Sequence, residues 1–104
     1  MRQSDNDKRE LADRYQAVVA RVSAILFKQD PIGIAEDNPY TDEYDAEARL
    51  IVARSKEATS PAELSRITRG VFVEMFSEKL AGPAPRFDEI SKELWPLVKE
   101  LHGR

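Results

Sequence analysis

Residues 60–83 read SPAELSRITRGVFVEMFSEKLAGP, and this stretch sets the fold class. Ser60-Pro61-Ala62-Glu63 is a capping box: the Ser60 hydroxyl can accept from the Glu63 amide while the Glu63 side chain reaches back. Pro61 falls at the first helical position, where its missing N–H costs nothing. Leu64, Ile67, Val71, Met75 and Phe76 then form an apolar stripe at helical spacing, with Phe72 beside it. Leu80-Ala81-Gly82-Pro83 stops the helix, because Gly accepts a left-handed cap and Pro cannot continue.

The same periodicity appears three more times. Leu11, Tyr15, Val18, Val22 and Ile25 predict a first helix from about Asp7 to Lys28, widened by Val19 and Leu26. A second starts between Thr41 and Asp45, both competent caps, and runs to about Ala58 with Tyr44, Ala48 and Ile51 inward. Its stripe is the least apolar, so it is expected to be the most exposed helix. The last runs from about Phe87 to Leu101 and turns Ile90, Leu94, Leu97 and Val98 inward. Pro96 inside it is expected to kink the helix or remove one hydrogen bond. No alternation at period two competes. The expectation is an all-α single domain over residues 1–104, with 1–7 frayed: four helices, bundle-like, with an extended acidic loop between the first two.

That loop is where the chain departs from generic packing. Residues 30–47 read DPIGIAEDNPYTDEYDAE. Six carboxylates (Glu36, Asp37, Asp42, Glu43, Asp45, Glu47) fall within twelve residues that hold no Lys, Arg or His. Acids at a helix start favour the positive end of the helix dipole, at about 0.3–1 kcal/mol each. A couple are accounted for in this way, and the rest exceed what capping requires. Asp30 before Pro31 predicts a single helical turn at DPIG.

Composition limits the chemistry. A net charge of −3 with 16 scattered basic residues argues against a nucleic-acid footprint. The absence of cysteine removes disulfide scaffolds, zinc-thiolate sites and thiol nucleophiles. His102, the single imidazole, sits beside Gly103 and Arg104 at an end expected to fray, so the usual catalytic triads cannot be assembled. The glycines are isolated, which leaves no phosphate loop, and the acidic spacing does not match an EF-hand. Neither a signal-peptide core nor an apolar run long enough for a membrane span is present, so a cytoplasmic chain is expected.

Beyond these physical signals lies a resemblance. DPIG at 30–33, DEYDAE at 42–47, ITRGVFVEMF at 67–76 and LAGP at 80–83 resemble a group of small bacterial all-helical proteins with no established activity. Its members typically carry DPIG, a DEYDPE-like box, an F-x-x-x-F helix and a Trp near the carboxy terminus. Phe72, Phe76 and Trp95 stand at those positions. The chain departs from the pattern at Gln29, where an aromatic is common, and at Ala46, where Pro is common. A Pro tolerated at that place would be the first helical residue, which supports Asp45 as the cap. The resemblance implies a compact helical fold and leaves function open, although some members look like immunity proteins.

Together these readings point to a small non-enzymatic interaction module that meets a basic protein surface through residues 36–47. Glu36, Asp37, Tyr40, Asp42, Glu43, Tyr44 and Asp45 are its candidate contacts, although a core position is the alternative for Tyr44. No catalytic residue, cofactor or metal ligand is assigned, and neither nucleic acid nor membrane is an expected partner. A divalent cation held by the acidic carboxylates is a second possibility. A homodimeric accessory subunit is a third, because the apolar arcs of the last two helices (Val71-Phe72-Val73 and Leu94-Trp95) are broad.

Overall fold

The capping box forms, with one difference. Ser60 Oγ accepts from the Glu63 amide at 3.2 Å, while the Glu63 carboxylate reaches past Ser60 to the Thr59 amide at 2.7 Å. This fixes the start of α3 (Pro61–Met75), the central helix of the fold. The computed structural model describes residues 3–31 and 44–103. Within them lie α1 (Gln3–Gln29), α2 (Asp45–Arg54), α3, α4 (Glu78–Ala81) and α5 (Asp88–Leu101). Short 3₁₀ turns at Ser55–Glu57 and Ala84–Phe87 join them. The described residues are all-helical, with five helices where four were expected.

The extra helix comes from a break that the apolar stripe conceals. At Phe76 the backbone leaves the helical region, and Ser77 turns fully extended (φ −176°, ψ 164°). The Ser77 hydroxyl accepts from the Leu80 amide at 3.0 Å and so starts α4. A serine inside a helical pattern competes for backbone hydrogen bonds, and here it wins. Gly82 ends α4 at φ 79°, as the sequence led one to expect. Arg86 lies directly over it, and a Cβ on Gly82 would sit 2.6 Å from the guanidinium carbon. That guanidinium donates to the carbonyls of Ala81 (3.0 Å) and Pro31 (2.8 Å), groups that neither helix end satisfies by itself.

The four long helices close a ring: α1 touches α2 and α5, and α3 touches the same two. Their shared interior holds Val22, Leu26, Ile51, Leu64, Val71 and Leu94, all fully buried. An aromatic cluster lies among them. Phe72 meets Tyr44, Phe76 and Phe87 at ring-centroid distances of 5.8, 5.9 and 5.4 Å, within the range at which such pairs add to simple burial. The broad arcs of α3 and α5 are used here: Val71, Phe72 and Leu94 are buried, and Val73 and Trp95 lie partly buried against the core. Pro96 does not divide α5, which runs unbroken through it.

The exposure of the helices differs from the expectation. α2 buries Glu47, Ala48, Ile51 and Val52 in ten residues and is not the most exposed helix. Its neighbours cover it on two sides, so a thin stripe suffices. α1 is the exposed one. At 1.5 Å per residue its 27 residues span about 40 Å, and the helices beside it are 10 and 14 residues long. Its first half therefore runs beyond them, along a molecule whose longest dimension is 50 Å. Among the described residues, no helix is long and apolar enough to cross a membrane.

Candidate interaction surfaces

Only the two ends of the acidic stretch are described; Glu36, Asp37, Tyr40, Asp42 and Glu43 lie outside the described residues. At the leading end, Asp30 closes α1; the helical turn expected at residues 30–33 runs outside the described residues. Its amide donates to the Leu26 carbonyl at 2.7 Å with φ at 47°. Few side chains tolerate that left-handed conformation; Asp is among those that do. The Asp30 carboxylate accepts from the Tyr44 hydroxyl at 2.6 Å. The two borders of the segment are thereby tied side chain to side chain.

Tyr44 is completely buried, with its ring against Phe72, so the structure gives it the core role and removes it from the candidate contacts. Asp45 is not the cap of α2. It is the first helical residue, and the cap position belongs to Tyr44, whose side chain makes no capping hydrogen bond; Thr41 lies outside the described residues. The Asp45 carboxylate accepts instead from Ser23 Oγ at 2.5 Å, linking α2 to α1. Glu47 is 3% exposed and belongs to the interior. The described end of the acidic box is therefore architectural, not partnered by Arg49 or Arg54. Arg54 pairs instead with Glu74 on α3, a contact in which the Arg54 hydrogen bond and charge hold the Glu74 carboxyl below its ordinary range.

A second surface lies on α1. Residues 9–14 are exposed throughout, and Leu11 is 56% exposed. Leu11, Ala12 and half-buried Tyr15 line a shallow concavity there. One turn further on, Val18 joins Leu97 and Leu101 of α5 in the floor of a groove of about 170 Å³, rimmed by Arg14 and Arg21 on one side and Glu100 on the other. Sequence reading placed Leu11, Tyr15 and Val18 on the core face. The signal available was length: a 27-residue helix beside much shorter ones must run beyond its cover.

His102 also departs from the frayed end expected of it. Its Nε2 lies 2.9 Å from Ser55 Oγ, and Ser55 is fully buried in the turn after α2. The Ser55 hydroxyl donates its one hydrogen to the Val52 carbonyl at 2.6 Å, so the imidazole N–H is the donor to Ser55. The pair has the composition of a nucleophile and its base, but the oxygen is inaccessible and its proton is directed at the backbone. It fastens the end of α5 to the end of α2.

Among the described residues, no His, Asp or Glu cluster is arranged to hold a metal ion. Compared with known proteins, the chain matches no family model, no curated protein and no solved structure. The resemblance drawn from DPIG, DEYDAE, ITRGVFVEMF, LAGP and Trp95 therefore rests on those motifs alone.

Proposed function

We propose that this chain is a non-enzymatic interaction protein that engages a protein partner. One observation carries the reading: the apolar stripe of α1 continues past its covering helices, leaving Leu11 56% exposed on a helix whose other half is packed. A helical segment of that length is marginal in water by itself, and burying its apolar edge against a partner stabilises it. An immunity-like inhibitor of a basic toxin is one concrete form, in which Glu36, Asp37, Tyr40, Asp42 and Glu43 supply steering and contact. The ties at Asp30–Tyr44 and Ser23–Asp45 support that form, because both borders of the acidic stretch are anchored to the core.

The test is capture of a partner from lysate of the cells that make the protein. Leu11→Asp should abolish capture and leave the thermal melt unchanged. Reversing Asp42 and Glu43 to Lys should weaken it in a salt-dependent way. Capture that survives Leu11→Asp removes the proposal. A divalent cation at the acidic stretch is the alternative, and a melting temperature raised by millimolar calcium or magnesium would favour it.

A further inference from the structure

The chemistry of the groove between α1 and α5 is more specific than that of the bare stripe. Arg14 and Arg21 are seven residues apart on α1, two turns, which places them about 10 Å from each other along one rim. Both are exposed, and neither is ion-paired among the described residues. Other exposed cations among the described residues, such as Arg49 and Arg66, are likewise without an ion pair, so what distinguishes Arg14 and Arg21 is their place along one apolar groove. Between the arginines lies an apolar floor of Val18, Leu97 and Leu101, continuous with the core. The opposite rim carries Glu100.

We infer that this groove receives an acidic-edged amphipathic helix of a partner protein, an inference that rests on the interaction reading above. Each guanidinium presents a planar fork suited to a carboxylate, and two such forks at a two-turn spacing match carboxylates at i and i+7 of a helix. The apolar floor takes the side chains between them. Glu100 repels an acidic edge on the other rim, so the occupant is held in one orientation. A nucleic acid fits less well: two arginines offer a short phosphate track, and the chain carries a net charge of −3.

The experiment uses the full chain and three probes. One is a synthetic helical peptide with Glu at i and i+7 along a Leu stripe, the second carries Lys at those positions, and the third is a single-stranded DNA oligonucleotide. The Glu peptide should shift the methyl resonances of Val18, Leu97 and Leu101. The double variant Arg14→Glu/Arg21→Glu should lose about tenfold or more in affinity without a change in melting temperature. Binding of the Lys peptide as tight as that of the Glu peptide overturns the inference. So do tighter binding of the oligonucleotide, shifts confined to other regions, and a dimer in sedimentation that occludes the groove. If Leu11→Asp abolishes partner capture while the Glu peptide leaves these methyls unmoved, the interaction reading stands and this inference fails.

Discussion

The two halves of α1 share one helix and one apolar stripe, yet they live in different surroundings. In the second half Val19, Val22, Ser23 and Leu26 are buried between α2 and α5; from residue 9 to residue 17 nothing is. Periodicity shows which face of a helix is apolar. It does not show whether anything covers that face, because cover depends on the length and placement of other elements. In the covered half the stripe stabilises the fold. In the open half Tyr15 still rests partly against the core while Leu11 stands 56% exposed, and for that reason Leu11 is the better guide to function.

Paired truncations test this contrast most severely. Leu26→Ala should cost about 2–5 kcal/mol in urea unfolding, the usual range for a buried leucine that leaves a cavity. Leu11→Ala should stay within about 0.5 kcal/mol, as surface changes do. Equal costs would mean that the first half of α1 is covered after all. Hydrogen exchange follows the same division. Amides at 19–29 should exchange only through large-scale opening, whereas those at 9–17 should exchange through local fraying and far faster. Uniform protection along α1 would break the comparison.

A smaller effect is expected where the covered half ends. Tyr44→Phe keeps the ring against Phe72 and removes the hydroxyl that Asp30 accepts. The expected loss is about 1–2 kcal/mol, since a partly buried carboxylate loses a donor. If the variant is as stable as the parent, the tie contributes nothing to holding the borders of the acidic stretch.

Much of the fold was legible in the sequence because its signals were local. The capping box at Ser60, the glycine stop at Gly82 and the inward faces of α3 and α5 each depend on residues within a turn or two of one another. What the sequence hid depended on distant partners. Asp45 reads as a cap until Ser23, on another helix, takes its carboxylate. His102 reads as a loose end until Ser55 meets it 47 residues away. Ser77 reads as helix interior because a continuous stripe outweighs one competing hydroxyl. For the candidate site, composition located the acidic stretch and left Tyr44 both a contact role and a core role; the Phe72 ring that decides for the core comes from another helix. The exposed edge of α1 was missed because an uncovered stripe and a covered one are written identically.

The smallest expected effect sets the scale for surface contacts, against which the open half of α1 should be judged. Arg54 and Glu74 join α2 to α3 in an exposed pair, and the Arg54 hydrogen bond, with its charge, lowers the Glu74 pKa. A carboxyl whose folded pKa is depressed contributes stability that is fully present above the unfolded value of about 4.3 and is lost as pH falls through the folded value. The gap between the parent and Glu74→Gln should therefore be constant near neutrality and close progressively below about pH 4. It should also shrink in high salt, because solvent screens an exposed pair. Urea unfolding across that pH range measures it, and a gap that persists in acid would show that the charge contributes nothing. Leu11→Ala belongs on the same scale as this pair; a cost nearer that of Leu26→Ala would place Leu11 in the core.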